Sequence, residues 1–301
     1  MIIPEQFSPS VLLSETHAPR YGTEGVFAEA VAAVAKRRFF RNVELPGIAG
    51  ASERRHIRDL IATHGFGSTM WIGVVLAAEQ LSLSATDPAD RERAVGRARE
   101  LLVWASETGV DRAAILSGPD PGPANRTAAL TALRHSIEEV AQYAGDLDPG
   151  LRIVLEPRDR GVHKKDVIGP TMEAVEFAEA TREKVPAFGL VWDSAHVMLC
   201  GEDTQSSLRT AGPYVSQVHL SNPVPDRGHP LHGDRHLPFG PPGALSEADV
   251  PRMLREVAFA LPPSQLPVPV ALEVRTPEGG DPEQTVREAE RILREGFAKY
   301  Q

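Results

Sequence analysis

The chain has 301 residues, 42% of them hydrophobic and 24% charged, with a formal net charge of −9. This is ordinary globular composition with enough apolar residues for a full core, and the acidic balance argues against a nucleic-acid partner, which needs clustered Lys and Arg. The one cysteine, Cys200, excludes an intrachain disulfide and fits a reducing compartment; residues 1–10 lack a basic and apolar leader and no apolar run reaches about 18 residues, so a cytoplasmic protein without a membrane span is expected.

Phe7–Leu13 reads as a weak first strand, and the loop after it carries Glu15 and His17, the latter either a substrate contact or a surface histidine. Val26, Phe27, Val31 and Val34 fall on one side at three-to-four spacing and predict a helix over Thr23–Arg38. Phe39–Leu45 is a second strand stopped by Pro46 and Gly47, and Ser52–His64 a helix with Ser52 as its N-cap. Thr69–Leu76 is a third, apolar strand. Asp87–Thr108 is a long helix with Val95, Ala98, Leu102 and Trp104–Ala105 inward, closed by Gly109, and Ala113–Leu116 is the fourth strand. A helix over Asn125–Tyr143, a strand over Leu151–Leu155, a helix over Thr171–Lys184 and a strand over Phe188–Trp192 follow. Thr204–Ala211 is a short helix and Val215–Val218 the seventh strand. After a long loop, Ser221–Gly243, come a helix over Ser246–Leu261, an eighth strand over Val268–Leu272 and a last helix over Pro282–Phe297.

Eight strands alternating with eight helices imply parallel pairing with helical crossovers. The length suits an α/β fold of the (β/α)8 barrel type, one domain over residues 1–301. No interdomain linker is visible. An open doubly wound sheet would carry a Gly-rich turn after its first strand, and there is none.

Active sites of such barrels lie at the C-terminal strand ends. Four strand-like runs in the second half end in Glu156, Asp193, His219 and Glu273, which would then converge. Two carboxylates ~4 Å apart repel by about 4 kcal/mol at an effective dielectric near 20, so three together need protonation or a cation. A divalent metal held by Glu156, Asp193, His219 and Glu273 satisfies that need. Three oxygens and an imidazole, with no thiolate, favour Mn²⁺ first, with Mg²⁺, Co²⁺ or Zn²⁺ as alternatives. Arg275, two residues past Glu273, points back to the barrel mouth by strand alternation and is a candidate substrate clamp. Arg160 and Lys164 lie just before a helix N-terminus and are candidates for an anionic substrate, against the alternative of a solvated charge run. Trp192, next to Asp193 on its strand, should face the helix layer.

The segments Leu155-Glu156-Pro157, Asp159-Arg160, Trp192-Asp193-Ser194-Ala195-His196, Val218-His219-Leu220 and Leu272-Glu273-Val274 resemble the xylose isomerase-like superfamily of TIM barrels. That superfamily includes sugar isomerases and epimerases, dehydratases and AP endonucleases of family 2 type. The resemblance implies that the four strand-end residues bind a catalytic metal and that Glu156 and Glu273 also move protons. It matches His196 to a histidine that contacts substrate or metal, the alternative being one that only braces the site. The reaction implied is isomerisation or epimerisation of a sugar or sugar-related ketone in carbohydrate metabolism, by proton abstraction beside a metal-chelated carbonyl through an enediolate. Loss of a β-leaving group from the same species would make a lyase, a dehydratase or an enzyme eliminating from an oxidised glycoside. A non-catalytic subunit is the remaining reading. The expected partner is a small carbohydrate or polyol, and the resemblance allows a homo-oligomer.

Asp234-Arg235-His236 resembles the endonuclease IV branch, in which the matching Asp and His bind a further zinc. The histidines which that branch places after strands two to four are missing here, so a trinuclear site is not expected. Asp234 and His236 then grip substrate, hold a second ion or form a loop salt bridge. Gly161-Val162 after Asp159-Arg160 also departs from the common sugar-epimerase pattern.

Overall fold

The computed structural model describes residues 3–300. Its strands are β1 (Phe7–Leu12), β2 (Asn42–Pro46), β3 (Gly67–Trp71), β4 (Arg112–Leu116), β5 (Arg152–Glu156), β6 (Gly189–Asp193), β7 (Val215–Leu220), the short pair β8 (Asn222–Val224) and β9 (Gly233–Leu237), and β10 (Val268–Leu272). Strands β1–β7 and β10 are parallel and close into an eight-stranded barrel, β10 returning to β1. This is a (β/α)8 barrel. The pair β8–β9 is antiparallel and lies within the expected loop Ser221–Gly243.

The helices are α1 (Leu13–Thr16), α2 (Val26–Arg37), α3 (Ala51–His64), α4 (Ile72–Ala78), α5 (Pro88–Thr108), α6 (Arg126–Leu147), α7 (Thr171–Arg182), α8 (Ser194–Leu199), α9 (Thr204–Ala211), α10 (Val250–Ala260) and α11 (Pro282–Lys299). Eight of them follow the barrel strands in turn and form the outer layer. The other three, α1, α4 and α8, start directly from the ends of β1, β3 and β6. They build the C-terminal mouth.

Period-two alternation explains the two layers of core. Val43, Leu45, Ile115, Leu155, Leu190, Trp192, Val218 and Leu272 point outward and pack with the helices. Inside the barrel, Trp71, Ala114, Leu116, Val154 and Val191 form a smaller cluster. Trp192 is buried among the outer residues, its Nε1 donating to Ser207 Oγ on α9 at 2.9 Å.

Three local expectations are corrected. Ile72–Leu76, expected as the end of the third strand, belongs instead to the helix α4. Gly73 lets α4 lie directly on β4, since a Cβ there would sit 2.6 Å from Leu116 N. Ser52 is not an N-cap: α3 starts at Ala51 with Gly50 as its cap residue. Its neighbour Glu53 instead accepts from Phe27 N at 2.8 Å and Ala28 N at 3.3 Å, supplying the acceptor that Gly25 cannot give α2. His17 is no surface residue; it is 3% exposed, with its ring 6.3 Å from that of Phe27. By contrast, Asp87 caps α5 through Ala89 N and Asp90 N, Pro88 takes the first helical position, and Gly109 at φ +74° ends it.

Candidate metal centre

Asp193 ends β6 and caps α8. Its Oδ1 accepts from Ala195 N at 2.6 Å and His196 N at 3.3 Å, which leaves Oδ2 to face His219 Nδ1 at 4.0 Å. Register sets Asp193 opposite His219 on β7, and Leu116 opposite Glu156 on β5. Glu273 follows β10, its N–H bonded to Leu220 O at 3.0 Å. From His219 Nδ1, Glu156 Oε1 is 3.6 Å away and Glu273 Oε2 3.3 Å. One donor atom from each of Glu156, Asp193, His219 and Glu273 lies within 4.8 Å of all the others, and all four residues are buried. Ser221 Oγ bridges Asp193 Oδ2 at 2.6 Å and Glu273 Oε2 at 3.1 Å.

These donors fit a divalent cation. Buried polar atoms are nearly always paired, yet Glu156 Oε1 and His219 Nδ1 have no hydrogen-bond partner. The other imidazole nitrogen is committed: His219 Nε2 is 3.0 Å from Glu44 Oε2. Glu44 is itself fixed by Ser10 Oγ (2.7 Å), Trp71 Nε1 (3.0 Å) and Gln217 Nε2 (2.6 Å). A carboxylate at Nε2 keeps a proton there and turns the Nδ1 lone pair to the cluster, the arrangement a metal-binding imidazole requires. The electrostatics point the same way. Burial and the Glu273 charge push Asp193 up to about 7. Burial opposes a charge on His219, but Glu44, Glu156 and Glu273 raise it well above the ordinary histidine value. The cluster calls for positive charge, in the form of protons or of a cation.

The remaining candidates lie around the rim. His236, at the end of β9, takes φ +53°, a left-handed conformation uncommon for histidine. Its Nδ1 lies 2.9 Å from Glu15 Oε2 and 3.4 Å from Glu273 Oε1, and its Nε2 lies 2.9 Å from Asp234 Oδ2. Glu15, His236 and Glu273 thus form a second, smaller donor group sharing Glu273 with the first. Lys164 Nζ is 3.0 Å from Asp234 Oδ2. His196 Nδ1 lies 3.3 Å from Asp159 Oδ2 and its Nε2 3.9 Å from Asp234; burial disfavours its charge, but Asp159, Asp193 and Asp234 lift it to about 9. Asp159 also gathers the N–H groups of Val162, His163 and Lys164, which shapes the loop that departs from the epimerase pattern. Arg275 sits at the rim with Nε 2.6 Å from Glu15. Arg160 turns away from the mouth to Glu173 on α7 and does not reach the cavity. Arg158 lines it instead, paired with Asp166 at 2.9 Å.

A cavity of ≈ 340 Å³ opens over the cluster, lined by Glu15, Glu156, Lys164, His196, His236 and Glu273 on its polar side. Glu44, Glu15 and Ser221 are site residues that strand-end reasoning passed over. Glu44 had a signal: it is an acid between outward-facing Val43 and Leu45, so alternation sends it into the barrel.

A closed (β/α)8 barrel with clustered acids and an imidazole at its C-terminal mouth defines the class: a TIM barrel with a metal-capable site where such barrels do their chemistry. The chain belongs to the xylose isomerase-like TIM barrel family, whose model matches residues 31–296. No curated protein matches it by sequence. Among solved structures, it is similar to D-psicose 3-epimerase with D-tagatose from Clostridium cellulolyticum H10 (TM-score 0.69, 16% identity, 98% of this chain and 100% of that one). It is also similar to the IOLI protein with a bound zinc (0.71, 14%, 98% and 99%) and to the 3-keto-D-glucoside 4-epimerase YcjR of E. coli (0.68, 15%, 96% and 99%). At these identities the likeness is one of fold. No helix among the described residues is long and apolar enough to cross a membrane.

Proposed function

We propose that this protein is a divalent-metal-dependent isomerase or epimerase of a sugar or sugar-related hydroxy-ketone, with Mn²⁺ the first choice of ion. The observation that carries the reading is the placement of Glu156 and Glu273, 3.6 and 3.3 Å from the same imidazole nitrogen but on separate strand ends. When bound by Glu156, Asp193, His219 and Glu273, the metal supplies polarisation of a carbonyl and its neighbouring hydroxyl, which acidifies the C–H between them. One glutamate accepts that proton. The other, reaching the carbon from the opposite side, returns one and inverts the centre; return to the neighbouring carbon isomerises the sugar. His196 lines the cavity, and against burial the Asp159, Asp193 and Asp234 carboxylates favour its charged form, suiting it to donate to a substrate oxygen. Zinc in the IOLI structure and the epimerase names of the other two similar structures support the same assignment.

The test is solvent-deuterium incorporation into a ketose panel by the Mn²⁺-loaded protein. Deuterium should enter beside the carbonyl with no fragment lost. Glu156→Gln and Glu273→Gln should each slow incorporation by about 100-fold or more. Near-normal exchange in either variant contradicts its role as a proton carrier, and release of water or an aglycone identifies a lyase.

A further inference from the structure

The two sides of the cavity differ. Most of its polar side chains, Glu156, Arg158, Lys164, His196, His236 and Glu273, come from the ends of β5, β6, β9 and β10. The side built by β1–β3 and their short helices is mostly carbon, from Tyr21, Phe27, Pro46, Val74, Val75 and Ala78, with Glu15 and Glu79 at its edges. Two of these are large apolar side chains left open at the mouth, Tyr21 45% and Val74 43% exposed. The polar handles of the aromatic residues on this side are already used. Tyr21 Oη donates to Ser14 O and Trp71 Nε1 to Glu44. The carboxylates there are held as well, Glu15 by Arg275 and His236, and Glu79 by Arg97. Cations at the mouth are no freer: Lys164 pairs with Asp234 and Arg158 with Asp166. A second hollow of ≈ 340 Å³ lies alongside and shares Leu116, Arg158 and Lys164 with the first.

A bare sugar or a sugar phosphate bound at the metal would find no free polar partner on this wall and would leave its carbon surface in water. An apolar group would bury its own surface and that of the wall together. Resting on the hydroxy-ketone reading above, we infer that the natural substrate carries an apolar, ring-sized substituent, as an aryl or bulky alkyl glycoside does, seated on Tyr21, Phe27 and the Val74–Val75 face of α4 while its hydroxy-ketone end meets Glu156 and Glu273. The substituent takes no part in the bond changes; it positions the sugar.

A matched pair of ligands tests this: methyl and phenyl β-D-glucosides carrying a ketone at C3, titrated into Mn²⁺-loaded protein. Binding is read from the fast phase of tryptophan fluorescence, since Trp71 lines the cavity. The phenyl compound should bind about tenfold tighter or better, the gain expected for burying a ring in place of a methyl. Val74→Asn and Tyr21→Ser should each reduce that preference to about twofold, leaving the methyl compound and Mn²⁺ binding unchanged. Equal binding of the pair overturns the inference but leaves the hydroxy-ketone reading standing. Failure of both to bind a protein that does take up Mn²⁺ overturns both. Full preference retained in both variants refutes the assigned wall. Equal binding together with a wild-type dimer that Val74→Asn dissociates would make the wall the seat of a second copy, and the inference fails.

Discussion

At Nε2, His219 meets Glu44 at 3.0 Å, and Trp71, Gln217 and Ser10 hold that carboxylate in place. Glu44→Gln keeps the shape but offers no full acceptor to fix the imidazole tautomer, so Mn²⁺ affinity should fall about 10–100-fold in a competition titration against a chromogenic chelator. Unchanged affinity would make Glu44 a packing residue only. The pH dependence of metal binding has a definite sign. Asp193, lifted to about 7, and His219, raised well above the ordinary value, are both protonated below neutrality without metal. Both protons must leave on binding, so affinity should rise with pH through about 7, by ~tenfold per pH unit for each proton released; a pH-independent affinity between 6 and 8 contradicts this. In the metal-free protein, Asp193's raised value means the folded state binds more protons than the unfolded one between about 4 and 7, so stability should decline as pH rises through that window. The strand-end quartet was legible because each member interrupts an apolar run at its last position. Glu44 and Glu15 were not read as site residues, one because it lies inside a strand and the other because it sits on a four-residue helix with no period to read.

At the level of elements, the crossover helices and barrel strands could be read because each is long enough to show its period. Helices α1, α4 and α8 have 4, 7 and 6 residues and the β8–β9 pair 3 and 5, too few for the pattern to be distinct. The mouth is made of these short elements, so the sequence shows the floor of the site better than its walls. Gly73 ties one of them to the barrel. Gly73→Ala would push a methyl into the β4 backbone at 2.6 Å and should cost about 1–3 kcal/mol in urea denaturation. Gly96→Ala and Gly145→Ala, inside α5 and α6 with nothing within 4 Å, should instead stabilise by ~0.5–1 kcal/mol. Equal effects at all three positions would contradict the contact assigned to α4.

Across the whole molecule, the quartet draws on β5, β6, β7 and the end of β10, half the barrel. A ligand that binds only the folded chain stabilises it, by about 2.7 kcal/mol at a hundred times its Kd. Mn²⁺ should therefore raise the thermal midpoint of the wild type, and Asp193→Ala should abolish that rise. The barrel itself was legible from the alternation of strand and helix, whereas the substrate was not, because specificity depends on which polar groups the folded chain has already paired. The most direct test of the metal centre is anomalous diffraction from crystals grown with Mn²⁺. One strong peak bounded by Glu156, Asp193, Glu273 and His219 Nδ1 is the expected result. No peak there, or a peak only between Glu15 and His236, would contradict it.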